Sequence, residues 1–327
     1  MSKTKSMDRQ FRYAIGECTA IGESKRSYKG AHEGSTDGLV FSIDYKRDLI
    51  KTSQSFSTWV KDNYPGVKLV KDIPAEAWQG FITSKQGLSS EYIEKISSHM
   101  NKLQKVSDAV FHTRHADAPT SPIFDEKTEK QRSIPMDEKT LSRVIQEIKD
   151  SSKSETWKAL ELSRICGARV RESVCLTAGH VHLVDGKYGY GYVVIDKEAG
   201  AKHGRYREVS ILTAEDRAAL QELIKGKKPD ELIASNKGKP FQPDSINRAT
   251  DRALKRLGLD DRWKQNKSHS IRKGFAQRCW DKARYATRDS VTTKVSKELA
   301  REFVNTQLGH GEKRDARLLN AYVSNTW

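Results

Sequence analysis

Cys166-Gly167-Ala168-Arg169-Val170-Arg171-Glu172-Ser173-Val174-Cys175-Leu176 is the stretch on which the reading of this 327-residue chain turns. A helical pattern begins at Trp157, and Gly167 interrupts it where Arg169 starts a new turn. Arg169 and Glu172 are then three apart on one helical face, so the carboxylate can hold the guanidinium in place. Taken alone, such a pair is more often an ordinary surface ion pair. After Leu176 the hydrophobic period changes to two. Residues 181–183, 190–195 and 207–212 alternate and are β-rich, with turn signals at Asp185-Gly186 and across 200–204. A small antiparallel sheet is therefore expected directly after the interrupted helix.

Outward from this centre the chain is mainly helical. From about Thr213 helix is predicted again, with loops at 225–229 and 236–243. Upstream, Leu141, Val144, Ile145 and Ile148 make one apolar stripe. Ala118-Pro119-Thr120-Ser121-Pro122 and the charged, aperiodic run 125–132 read as a linker. Before it lies an all-helical unit. Leu49, Phe56, Trp59 and Val60 share a face that Asn63-Tyr64-Pro65-Gly66 ends. Pro74 opens a helix carrying Trp78, Phe81 and Ile82, and Ser89-Ser90-Glu91 caps another carrying Ile93, Ile96, Met100 and Leu103. The boundaries predicted are a polar, basic arm over 1–36, flexible or with one short helix, a helical domain over 37–116, a linker over 117–134 and a second domain over 135–327.

Composition narrows the function. The chain carries 59 Lys+Arg against 43 Asp+Glu, a net charge of +16, which favours a polyanionic partner. Residues 133–327 hold most of the excess, with 38 basic against 26 acidic side chains. No apolar run approaches the length of a bilayer span, and the N-terminus lacks the apolar core of a secretory signal. Cys18, Cys166, Cys175 and Cys279 match neither a zinc site nor a disulfide scaffold, so a reducing, intracellular setting is expected. There is no phosphate-binding P-loop, no H-E-x-x-H and no EF-hand loop. His180 and His182 share a strand face but have no third ligand nearby. No metal or cofactor is expected.

Three further segments carry chemistry-bearing residues: Ala201-Lys202-His203-Gly204-Arg205-Tyr206-Arg207, Ser268-His269-Ser270-Ile271-Arg272, and Leu308-Gly309-His310 with Tyr322 downstream. Singly each has an ordinary reading, as a solvated basic turn, a helix face, a helix end and an anchoring aromatic. In this order they resemble the tyrosine recombinase (phage integrase) family. Gly167-x-Arg169-x-x-Glu172-x-x-x-Leu176 is similar to the family's first arginine box, and Lys202-x-Gly204-x-x-Arg207-x-Val209 to its β-hairpin lysine segment. His269-x-x-Arg272 followed by Gly274-Phe275-Ala276 looks like the second box, and Leu308-Gly309-His310 like the third. The 39–115 unit is similar to the family's helical core-binding domain.

The resemblance implies a mainly α fold with a small antiparallel β-sheet, in which an N-terminal helical core-binding domain precedes an α+β catalytic domain. It implies a site-specific recombinase, the integrase or transposase of a mobile element, acting in the cytoplasm on DNA. Such an enzyme works through a 3′-phosphotyrosyl link and a Holliday junction, without metal or ATP. Its partners would be double-stranded DNA, three further copies of the chain in a tetramer, and accessory DNA-bending or directionality factors. Arg169 and Arg272 would hold the non-bridging oxygens, since planar, permanently charged forks suit a phosphate. His269 would accept a proton, Lys202 would protonate the leaving 5′-oxygen, His310 would donate to the phosphate and Tyr322 would attack. Glu172 would orient Arg169. Arg205, Arg207, Arg248, Arg252, Lys255, Arg256 and Lys273 are expected to face DNA, and Arg9, Arg12, Lys25, Arg26 and Lys29 could let the arm touch it.

Some features depart from the pattern. Lys273 stands where the family commonly has a second histidine, and the interval from Arg272 to His310 is longer than usual, with a polar insertion over 281–295. Tyr285 within that insertion is a rival nucleophile, and only five residues follow Tyr322. Related chemistry would also suit a telomere resolvase or a type IB topoisomerase. A non-catalytic DNA-binding protein on the same scaffold, or more remotely an RNA-binding helical protein, remains the reading of another class.

Overall fold

The computed structural model describes residues 6–23, 25–31, 36–122, 134–152, 154–184, 189–263, 267–310 and 322–323. The chain divides into two compact units, Met1–Lys130 and Gln131–Trp327. The described part of the first unit is helical: α1 Met7–Glu17, α2 Lys25–Ala31, α3 Ile43–Asn63, α4 Ala75–Thr83 and α5 Ser90–Phe111. Ser42 and Ser89 accept hydrogen bonds from the backbone N–H groups of Tyr45 and Tyr92, both at 3.4 Å, and so start α3 and α5. Phe56, Trp78 and Phe81 form the aromatic centre, with ring centroids 4.8 and 5.2 Å from Phe56.

The N-terminal segment is not a free arm where it is described. Met7, Phe11, Ala14 and Ile15 recur at helical spacing and are buried on α1. The Phe11 ring meets Phe56 at 5.9 Å and Trp78 at 6.3 Å. Burying such a side chain contributes about 1.5–3 kcal/mol, enough to draw this charged helix onto the core. Residues 118–122 also lie on this unit. Ala118 is buried, the Ser121 N–H donates to Gln79 at 2.9 Å, and the Ser97 hydroxyl donates to the Thr120 carbonyl. The rest of the expected linker, 123–133, lies outside the described residues.

The second unit opens with α6 Glu138–Ser151, capped by Asp137, whose carboxylate accepts from the Thr140 N–H at 2.8 Å. α7 Thr156–Cys166 and the short α8 Val170–Ser173 follow. Gly167 separates them with φ at 56°, and the Phe275 ring occupies the space a β-carbon would need. Both facts require glycine there. β1 Val181–His182, β2 Tyr192–Ile195 and β3 Arg207–Ser210 form an antiparallel sheet in the order β1-β2-β3, with Ile195 opposite Arg207. The alternation that predicted the sheet is seen in β2, where Val193 and Ile195 point inward.

α9 Ala214–Ile224 leads to a two-stranded hairpin, β4 Ser235–Asn236 with β5 Lys239–Pro240, in the segment expected to be a loop. Lys237 and Gly238 both have positive φ, which matches the twist of such a hairpin turn. α10 Pro243–Arg256, α11 Lys267–Thr287 and α12 Thr293–Leu308 complete the unit. The polar insertion over 281–295 is thus mostly the end of α11 and the start of α12. Buried Asp216 on α9 takes Arg164 of α7 at 2.8 Å and also Arg278 of α11, tying three helices together. No helix among the described residues is long and apolar enough to cross a membrane.

Candidate active site

The Glu172 carboxylate is the hub of a buried ionic cluster. Its Oε2 accepts from the Arg169 backbone N–H at 2.7 Å, closing the first turn of α8, and its Oε1 accepts from Arg169 Nη1 at 2.7 Å. Arg207, at the start of β3, adds two parallel bonds, Nη1 to Oε1 at 3.1 Å and Nη2 to Oε2 at 2.6 Å. Arg272 on α11 brings Nη1 to 3.9 Å from Oε2. Burial opposes charge on Glu172, but the Arg207 and Arg272 guanidiniums and the Arg169 N–H overcome it and hold the carboxyl at about 2.

Arg272 is 1% exposed. It donates to the Gly167 carbonyl and, at 2.7 Å, to the Leu308 carbonyl, joining the ends of α7 and α12. Burial and the nearby Arg169 and Arg207 cations lower its pKa to about 10. Three guanidiniums thus share one carboxylate. The excess positive charge is matched by two buried N–H groups, Nε of Arg207 and Nε of Arg272, that have no partner among the described residues. An environment of this kind favours an anion.

Tyr322 lies beside this cluster. Its ring is 5.1 Å from the His269 ring, edge-on at 68°, and 4.9 Å from the His310 ring. His269 sits one turn before Arg272 on α11. Burial lowers its pKa to about 4, helped by the Lys273, Arg272 and Arg169 cations, so the imidazole is neutral near pH 7. His310 follows Gly309, which ends α12 with φ at 66°, and its backbone N–H donates to the Asn305 carbonyl at 2.9 Å. Val323 is buried in the unit's core and anchors the chain next to Tyr322.

The structure therefore brings together Arg169, Glu172, His269, Arg272, His310 and Tyr322. Lys202 is not in that group. It is exposed on the turn Lys202–Gly204 between β2 and β3, with no hydrogen bond or ion pair among the described residues. Arg205 on the same hairpin is exposed as well. Tyr285, the rival phenol, is 68% exposed and stacks under Arg288 at 4.2 Å, away from these contacts.

Two residues expected at the DNA surface point inward. Arg207 is buried because Glu172 neutralises it. Lys273 is buried beside His269, whose pKa it lowers. The signal for Arg207 was available, since Val209 and Ile211 follow at period two and face the core. On α10, Arg248, Arg252 and Arg256 line a groove of about 780 Å³ with Lys237 and Asn236. Within it Arg256 is held by Glu147 and Ser151, both at 2.5 Å, while Lys255 pairs with Asp251 at 3.4 Å. Arg26 lies on α2, whereas the 264–266 and 311–321 segments that flank the second and third boxes lie outside the described residues.

No curated protein matches the chain. Among solved structures, it is similar to a lambda integrase tetramer bound to a Holliday junction (14% identity, 95% of this chain and 80% of that one, TM-score 0.54). XerH site-specific recombinase bound to difH substrate is similar at 17% identity, over 97% and 91% of the two chains, with a TM-score of 0.54. The Tn1549 transposon integrase (residues 82–397) in complex with circular intermediate DNA is similar at 14% identity, over 98% and 96%, with a TM-score of 0.52. At these identities the likeness is one of fold. Residues 134–282 match the profile of the phage integrase family, a span that contains Arg169, Glu172, Arg207, His269 and Arg272. Over that span, a little under half of its length, the chain is similar to the phage integrase family.

Proposed function

We propose that the chain is a tyrosine recombinase, the integrase or transposase of a mobile element, and that it exchanges strands at specific DNA sites through a 3′-phosphotyrosyl intermediate. The observation that carries the reading is a phenol held between two imidazoles beside a carboxylate-anchored set of three guanidiniums. A phosphodiester repels nucleophiles, and in-line attack builds further charge on its equatorial oxygens. Arg169 and Arg272 meet that charge with forked donors already fixed in place, so little reorganisation accompanies attack.

In the first step the Tyr322 oxygen bonds to phosphorus and the bond from phosphorus to the 5′-oxygen breaks. The phenol proton passes to neutral His269, and His310 donates to a non-bridging oxygen. Lys202 supplies the proton that the leaving 5′-oxygen takes up, the hairpin bringing it to the scissile phosphate when DNA is bound. The phosphotyrosyl ester keeps the energy of the broken bond. A 5′-hydroxyl of a second strand then attacks it, regenerating the phenol and joining the new strand. Two rounds pass through a Holliday junction, with a tetramer of this chain on two DNA sites and accessory DNA-bending or directionality factors setting the outcome.

The test uses a pool of random-sequence duplexes, each with a nick near its centre, incubated with the full chain in buffer containing EDTA. Covalent protein–DNA species resolved in SDS are sequenced to recover the preferred site. The expected result is a tyrosine-linked band enriched for one sequence. Binding without any covalent species overturns the enzymatic reading in favour of a DNA-binding protein. Relaxation of supercoiled plasmid without site preference points to topoisomerase chemistry, and hairpin ends point to a resolvase.

A further inference from the structure

Arg207 bonds to Glu172 of the first box and packs on Gly309 of the third, yet none of the roles above uses it. Its guanidinium lies flat against Glu172 with two bonds, at 2.6 and 3.1 Å, and fixes the plane of the carboxylate. Among the described residues that carboxylate is the group bonded to the Arg169 side chain, which is 32% exposed. The Arg207 side chain also passes close to Gly309. A β-carbon there would come within 2.8 Å of Arg207 Cδ, so the backbone leading to His310 is packed directly on this arginine. Finally, Arg207 begins β3, three positions after the turn that carries Lys202.

We infer that Arg207 is a positioning residue, which aligns Arg169 through Glu172 and holds the Gly309-His310 turn in register with it. The inference rests on the strand-transfer reading above. Without Arg207, the carboxylate keeps Arg169 but is drawn toward the Arg272 guanidinium, now 3.9 Å away. Arg169 then follows Glu172 out of line. Lysine in its place keeps the charge but cannot span both carboxylate oxygens. The rival account is a plain buried ion pair that stabilises the fold and nothing else.

The experiment measures single-turnover formation of the covalent adduct by the full chain on the nicked duplex recovered from the random pool. DNA affinity and melting temperature are read in parallel. The variants are Arg207→Gln, Arg207→Lys, Glu172→Gln and the Arg207→Gln/Glu172→Gln double. The expected result is an adduct rate about 10²-fold lower for Arg207→Gln, in the range for a lost preorganised donor, with DNA affinity within about threefold of the parent. Arg207→Lys should recover about tenfold of that loss. In the Glu172→Gln background, Arg207→Gln should add less than about threefold, because the two residues act as one unit.

Full additivity of the two substitutions overturns the inference, as does an unchanged rate in Arg207→Gln. So does a parallel fall in rate, affinity and melting temperature, the pattern of a fold-stabilising pair. If Arg207→Gln does not fold, Arg207→Lys alone and in the Glu172→Gln background reads the same coupling. Failure of the parent chain to form any adduct sinks the strand-transfer reading instead, so the two failures are distinguishable.

Discussion

The His269 ring meets the Tyr322 ring edge-on, with centroids 5.1 Å apart and planes at 68°. The two residues are 53 positions apart in sequence, and α11 and the buried Val323 anchor each of them independently. An imidazole that is neutral near pH 7 and a phenol are thereby held in ring contact.

Tyr322→Phe is expected to abolish the covalent adduct while DNA binding stays within about twofold, because only the hydroxyl is lost. Tyr285→Phe should leave adduct formation unchanged, since its ring is exposed and stacked on Arg288. An SDS gel of both variants on a nicked duplex is sufficient. Adduct that survives Tyr322→Phe and disappears in Tyr285→Phe would transfer the nucleophile to α11.

His269 has its pKa lowered to about 4 from 6.5, by burial and by the cations of Lys273, Arg272 and Arg169. A base works in its neutral form. The adduct rate should therefore rise with pH through about 4 and be level by about 6, where an unperturbed imidazole would still be titrating. Lys273→Met removes one of those cations and should move the limb upward. A rate limb centred near 6.5 in the parent chain would contradict this role.

Glu172 is held at about 2 in the folded chain, below its ordinary 4.5. A carboxyl depressed in this way contributes stability that is present above about 4.5 and is lost as pH falls toward 2. By linkage the contribution is of order 3 kcal/mol at most. Urea unfolding at pH 6, 4.5 and 3 should show this acid loss in the parent and a flatter profile in Glu172→Gln.

Arg248 and Arg252 line the α10 groove without a carboxylate partner among the described residues, whereas Arg256 is bound to Glu147. Alanine at either of the first two should weaken DNA binding and lower the salt slope of log Kd by about one, the mark of a lost phosphate contact. Arg256→Ala should change the slope less. Equal slopes for all three would place this groove away from DNA.

Phe11→Ala is expected to cost the N-terminal unit about 3–5 kcal/mol, as for other buried aromatics. A melt of the full chain followed by intrinsic tryptophan fluorescence reports it, since Trp78 is a direct neighbour of Phe11. A free arm would tolerate the change.

What the sequence determined by itself is local. The break at Gly167, the spacing of Arg169 and Glu172, the shared face of His269 and Arg272, and the switch to period two all depend on residues within a few positions of each other. Caps, glycine and side-chain periodicity act over that range. The burial of Met7, Phe11, Ala14 and Ile15 was also written as a period, but a basic composition masked it. Tertiary structure alone decided which cations lie inside. Arg207 and Lys273 read as surface charges, because a side chain's type does not say whether a distant partner will meet it. Arg207 finds Glu172 35 positions earlier, and Arg272 finds carbonyls 105 and 36 positions away. An unpaired guanidinium is too costly to bury, and a paired one is not. The pairing exists only once the helices and strand that carry it have packed within the second unit.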